Sequence, residues 1–139
     1  MTYTMRVLSR LGGGDEVDMV LAIGSFFTGS KSHAFRTGTL IHLVSGVLFG
    51  LIYGLGFLAI GLIDLPRILF IGIGFGFIHG LIMAYCLMIY FAEKHPLEEF
   101  RSVSLVVGSV HLAGHLVFGA TVGLIAGAAS MMAQSFGLN

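Results

Sequence analysis

Apolar residues run without a charge through three stretches: Thr37 to Ile63, Ile68 to Ala92, and everything after Arg101. Each exceeds the roughly 20 residues an α-helix needs to cross a hydrocarbon layer. The pattern predicts three spanning helices over about 38–63, 67–92 and 102–134. Asp64-Leu65-Pro66-Arg67 reads as a tight turn between the first two, because proline stops one helix and suits the first turn of the next. Glu93 to Arg101, with Pro96, reads as a charged connection before the third.

Within these stretches glycine recurs at every fourth position: Gly46, Gly50 and Gly54; Gly72, Gly76 and Gly80; Gly119, Gly123 and Gly127. That spacing stacks residues along one ridge of a helix. In lipid, hydrophobicity alone does not drive helices together, and small residues that admit close backbone approach do. The expected fold class is therefore an all-α integral membrane protein, its three transmembrane helices in a tight glycine-packed bundle. His42 to Gly50 also aligns with His111 to Gly119, sharing a His-Leu start and a Phe-Gly end. Such a match is what a parallel internal repeat would leave.

The N-terminal part, residues 1–37, reads as a leader and an interfacial helix, and residues 38–139 as the transmembrane domain. Met1 to Leu11 is short and basic, lacks the continuous apolar segment of a cleaved secretory signal, and is broken by Gly12-Gly13-Gly14. Asp15 suits a helix N-cap, with Glu16 and Asp18 favoured in the first turn by the helix dipole. Val17 to Phe27 is only about eleven residues long, too short to span. It is expected to be an amphipathic or re-entrant helix anchored by Phe26 and Phe27. A fourth span over 15–28 is the alternative.

Composition sharpens this picture. Apolar residues make up 56% of the chain and charged residues 10%, with a formal net charge of zero, which leaves no electrostatic case for binding nucleic acid. Arg6, Arg10, Lys31, Arg36, Lys94 and Arg101 fall on one side of the expected topology and Arg67 on the other. The positive-inside rule then places the N-terminus in the cytoplasm of a cell or inner membrane. Cys86 is the sole cysteine, which excludes an internal disulfide and a multi-cysteine metal cluster, and it reads as a small core residue.

Candidate chemistry rests on histidine. His42, His111 and His115 continue the glycine ridges of their helices, and His79 shares a face with Gly72 and Gly76. All four should point into the bundle or toward a partner helix, whereas His33 and His95 sit in connections and are expected to be solvated. Buried imidazoles can serve simply as polar glue, hydrogen-bonding to Ser45, Ser109, Thr121, Tyr85 or backbone carbonyls at about 1 kcal/mol each. Ionisable residues inside a membrane are nevertheless functional candidates by default. Four imidazoles with no carboxylate or cation beside them suggest neutral ligands. His111 and His115 lie one turn apart, a metal-compatible spacing, and His79 could join them. Glycines one turn away clear space for a flat macrocycle, and axial histidine is a common haem ligand. Haem b, a chlorin or a transition metal such as copper all suit histidine-only ligation. A c-type haem motif and the carboxylates of a di-iron bundle are missing.

Asp18-Met19, Gly38 through Tyr53, and Gly76 through Gly80 together resemble an uncharacterised family of small glycine-rich multi-pass membrane proteins with histidines in their spans. The resemblance covers about half the chain and implies topology, not chemistry. The chain is also similar in style to the histidine-liganded membrane anchors of cytochrome b type, without a diagnostic motif.

These features point to a small membrane subunit holding a histidine-ligated cofactor within a larger membrane or homo-oligomeric redox or pigment complex. Its partners are then the lipid bilayer and other membrane subunits or further copies of itself. Hydrolytic and phosphoryl-transfer enzymes are disfavoured, since no nucleophile elbow, phosphate loop or carboxylate pair occurs. The competing readings are a purely structural accessory subunit, and an oligomeric transporter or channel for protons or metal ions.

Overall fold

The computed structural model describes residues 18–61, 64–102 and 105–137. Every regular element in them is helical: α1 (Met19–Thr28), α2 (Ala34–Ile60), α3 (Arg67–Lys94) and α4 (Leu105–Ser135), with a single 3₁₀ turn at Glu98–Phe100. At 27, 28 and 31 residues, α2, α3 and α4 are long and apolar enough to cross a membrane. Their outward faces are apolar, with Leu43 65% exposed and Leu58 69% exposed.

The cap of α1 is Asp18. Its carboxylate accepts from the backbone N–H groups of Val20 at 3.0 Å and Leu21 at 3.2 Å, which would otherwise be orphaned at the helix start. Asp15, the N-cap expected from the sequence, lies with Glu16 and the basic leader outside the described residues. Gly29 ends α1 in the left-handed region (φ 68°), its N–H bonded to the Ser25 carbonyl. At ten residues α1 is too short to span. It folds back antiparallel on α2, and a Cβ added at Gly24 or Gly38 would run into the backbone carbonyl of Ala34 or Val20.

The helix pair α3 and α4 is equally close and also antiparallel. A Cβ on Gly72 would meet the Gly119 carbonyl, and one on Gly76 the His115 carbonyl. At Gly123 it would come within 2.7 Å of the Ile68 carbonyl oxygen. The ridge of α2 differs, since a Cβ on Gly46, Gly50 or Gly54 would meet nothing within 4 Å.

Aromatic rings set the distance between α2 and that pair. Tyr53 packs edge-on against Phe75 and Phe118, and Phe57 stacks on Phe75 with ring centroids 5.5 Å apart. Tyr53 and Phe57 are almost fully buried, and with Ile68 they form the core of this end of the molecule. Rings are wide spacers compared with glycine, so α2 stands off where α3 and α4 touch. Instead of three evenly packed helices there is a close pair and a propped third. At the opposite end α1 and the α3–α4 connection fill the gap, and Lys31 and Glu99 form an ion pair at 2.7 Å between the two loops there.

Candidate functional site

Between the aromatic prop and α1 lies a cleft of about 370 Å³, bounded by all four helices. That volume falls at the lower end of the range for small-molecule pockets. His42, His79, His111 and His115 all line it, set among Phe49, Met83, Val107 and other apolar side chains. His42 and His79 are half-buried, and His111 and His115 are 8% and 9% exposed.

On α4, His111 Nδ1 donates to the Val107 carbonyl at 2.9 Å, and His115 Nδ1 to the His111 carbonyl at 2.8 Å. A carbonyl only accepts, so each Nδ1 carries the proton and each Nε2 presents a lone pair. Metal-bound histidines are commonly oriented in this way, with the second ring nitrogen tied to a backbone carbonyl. The Nε2 of His111 is buried and has no hydrogen-bond partner.

His79 is held differently. Its ring stacks on Phe49, with centroids 3.8 Å apart and planes at 27°. Its Nδ1 lies 3.1 Å from the Tyr53 hydroxyl. Tyr53 is 4% exposed, and a phenol donates more readily than it accepts, so its O–H donates to Nδ1 and the proton of His79 resides on Nε2. That Nε2 is also buried without a partner.

The expected metal set of His79, His111 and His115 does not converge. Among the described residues no group of three or more His, Cys, Asp or Glu side chains is placed to hold a metal ion. The rings of His79 and His115 lie edge to face, with centroids 4.7 Å apart and planes at 80°. Two imidazoles ligating one metal from opposite sides would hold their centroids roughly 6 Å apart, given metal–nitrogen bonds near 2 Å. These two cannot sandwich a macrocycle.

Two parts of the site escape sequence reasoning. The first is His95, expected to be solvated but only 1% exposed. Its Nδ1 accepts from the Leu97 N–H at 3.1 Å, so its Nε2–H donates to the Ala22 carbonyl at 3.0 Å. Extended backbone at His95, enforced by the following Pro96, turns the ring beneath α1 between Phe26 and Phe100. His33 does lie at the surface, with φ of 61° at the start of α2.

The second is a π-helical segment, Ile82–Leu87, in the middle of α3. In an unbroken α-helix four-residue steps drift about 40° each, which would place His95 roughly 160° round from His79. The wider π turn reverses much of that drift. His79, Met83, Leu87, Phe91 and His95 all face the cleft as a result. Nothing in the local composition of Ile-Met-Ala-Tyr-Cys-Leu announces such a segment.

No protein-family model matches the chain, and comparisons with curated proteins and with solved structures give no match either.

Proposed function

We propose that the chain is a small integral membrane protein that holds a histidine-ligated tetrapyrrole, haem b or a chlorin, in the cleft between α2 and the α3–α4 pair. In this reading α2, α3 and α4 cross the bilayer, with the α1–α2 and α3–α4 loops on the cytoplasmic side, where Lys31, Arg36, Lys94 and Arg101 cluster. The close glycine contacts of α3 with α4 form a rigid wall. The propped α2 leaves the opening, and the protein acts as a subunit of a redox or pigment complex.

The observation that carries this reading is His111. Its imidazole is buried beside an apolar cleft and oriented by the Val107 carbonyl, which fixes the proton on Nδ1 and leaves Nε2 as the basic nitrogen. A tetrapyrrole metal requires only one such protein ligand. A bare ion would need more donors than converge here, so a macrocycle, which supplies four nitrogens itself, suits the residues better. When bound, the group would supply one-electron or light-absorbing chemistry. The chain's own residues would supply an axial nitrogen, a dry surrounding and a fixed depth.

The test is an absorption spectrum and metal analysis of protein purified from membranes in mild detergent. A Soret-type band with one metal per chain is expected. A colourless, metal-free sample of full stability that takes up no added tetrapyrrole overturns the proposal. A purely structural role in assembly is the second reading, favoured by Gly50 and Gly54 on the α2 ridge, where an added Cβ would meet nothing within 4 Å.

A further inference from the structure

We infer that the molecule opens as two helical hairpins, α1–α2 against α3–α4, and that the cleft between them is loaded at its α1 end, where His95 is the clasp. The inference goes beyond the tetrapyrrole reading, because it concerns how any occupant reaches the cleft.

Each hairpin is fastened to itself through its backbone. Gly24 and Gly38 bring α1 against the α2 backbone, and Gly72, Gly76 and Gly119 do the same for α3 and α4. Helices in such contact move as one body, since parting them loses the close packing that holds membrane helices together. Between the hairpins the contacts are made by side chains. At the end where the chain passes from α2 into α3, Phe57 stacks on Phe75 with planes 6° apart, and Tyr53 leans on Phe75 and Phe118. Phe49 and Tyr53 both meet His79 beside them. Such faces can tilt and slide by small amounts, as packed elements do in shear and hinge motions, and the covalent connection keeps that end joined. Ile23, His42 and Gly46 line the cleft from one hairpin and Met83, Phe91 and Val107 from the other, so the angle between the two bodies sets its width.

At the far end no chain connection joins the hairpins. There Phe26 lies against Phe91 with ring centroids 4.2 Å apart, Lys31 pairs with Glu99 at the surface, and His95 Nε2–H donates to the Ala22 carbonyl at 3.0 Å. Only the last contact is both buried and directional, and an exposed ion pair contributes little. His95 is fixed on its own side: its Nδ1 accepts from the Leu97 N–H, and the Arg101 Nε–H donates to its carbonyl at 2.8 Å. Ala22 lies within α1, so its carbonyl keeps an intrahelical N–H partner when His95 withdraws. Opening therefore strands no acceptor on α1, as a reversible clasp requires. It leaves α1 held by α2 alone.

The experiment uses the full chain in lipid nanodiscs, in a Cys86→Ala background, with pairs of nitroxide labels read by double electron–electron resonance. Ser30→Cys with Lys94→Cys reports the clasp end, and Ala59→Cys with Ala128→Cys the joined end; all of these positions are exposed. The clasp pair should show a broader distance distribution than the joined pair, and His95→Ala should lengthen it while the joined pair stays unchanged. In a separate chain carrying Ser45→Cys, at a position that lines the cleft, N-ethylmaleimide should react about tenfold faster once His95 is replaced by Ala, the factor for losing one or two buried hydrogen bonds. His95→Gln, whose amide can still donate to Ala22, should fall between the wild type and His95→Ala in both measurements. Should His95→Ala fail to fold, the wild-type distributions and the His95→Gln rate decide. Clasp and joined pairs that are equally narrow in every chain, or lengthening at the joined end instead, overturn the hinge. If the clasp pair lengthens while the maleimide rate keeps its wild-type value, the cleft is loaded sideways between α2 and α4, and the assignment of its entrance is overturned. No tetrapyrrole enters these measurements, so the failure of either proposal leaves the other standing.

Discussion

Tyr53 and His79 face each other across the α2–α3 interface, hydroxyl oxygen to Nδ1 at 3.1 Å, at the point where the aromatic prop meets the cleft. Replacing Tyr53 by Phe keeps the ring contacts with Phe75 and Phe118 and removes only the hydroxyl. The loss of one buried neutral hydrogen bond should lower stability by about 1 kcal/mol, with His79 Nδ1 left unsatisfied. Unfolding of the purified protein by denaturant in mixed micelles would measure it. A double-mutant cycle with His79→Phe should show coupling between the two positions. Additive effects would mean that the bond contributes nothing.

The glycines separate into two groups that substitution should distinguish. Gly76→Ala or Gly119→Ala puts a methyl group against a backbone carbonyl, which cannot turn aside as a side chain can. The helices must part, and overpacking of this kind costs about 1–3 kcal/mol. Gly50→Ala meets open space within the chain and should be neutral or stabilising by up to about 1 kcal/mol through helix propensity. Thermal unfolding of the three variants, with their oligomeric size followed by light scattering, checks this. A Gly50→Ala variant that unfolds normally but changes size would place a partner helix on the α2 ridge.

The proposed sidedness is open to a labelling test. Ser30 is exposed in the α1–α2 loop and Ser135 is exposed at the end of α4, at opposite ends of the helices. In a Cys86→Ala background, a membrane-impermeant maleimide added to intact cells should label Ser135→Cys and spare Ser30→Cys until the membrane is opened. The reverse pattern would refute the positive-inside assignment.

Much of this architecture was legible because charge-free length is a strong signal. Three uninterrupted apolar stretches announce three long helices, and Asp64 to Arg67 announces the turn between two of them. The glycine pattern was less informative. Four-residue spacing says that a ridge is flat but not what lies on it, and Gly72 and Gly50 look alike in sequence. A Cβ on the first would meet Gly119 and one on the second nothing within 4 Å, because Tyr53, Phe57 and Phe75 decide where α2 stands. That His42, His79, His111 and His115 share one cleft is in keeping with their register on the glycine ridges. Their tautomers could not be read from it, since these depend on the Val107 carbonyl and the Tyr53 hydroxyl at close range. The π segment is why His95 is buried: a loop position beside proline reads as solvated until the preceding helix is rotated toward α1.

His95 is therefore the residue whose replacement should say most about α1. It closes the Leu97 N–H and the Ala22 carbonyl at once, and Ser25 Oγ lies 3.5 Å from its Nε2. Removing the ring by His95→Ala leaves the Leu97 donor without its side-chain acceptor and takes a spacer from between Phe26 and Phe100. Large-to-small changes at such sites cost about 2–5 kcal/mol when the structure is a single cooperative unit. Here α1 is a single ten-residue helix, so the loss should appear as local opening. Amide exchange over Val20 to Thr28 should rise by orders of magnitude while the α3–α4 interface stays protected. Breaking the exposed Lys31–Glu99 pair by Glu99→Gln tests the same junction through its surface contact and should change exchange little, since such pairs contribute about 0–1 kcal/mol. If Glu99→Gln frees α1 and His95→Ala does not, the ion pair and not the buried imidazole holds that helix in place.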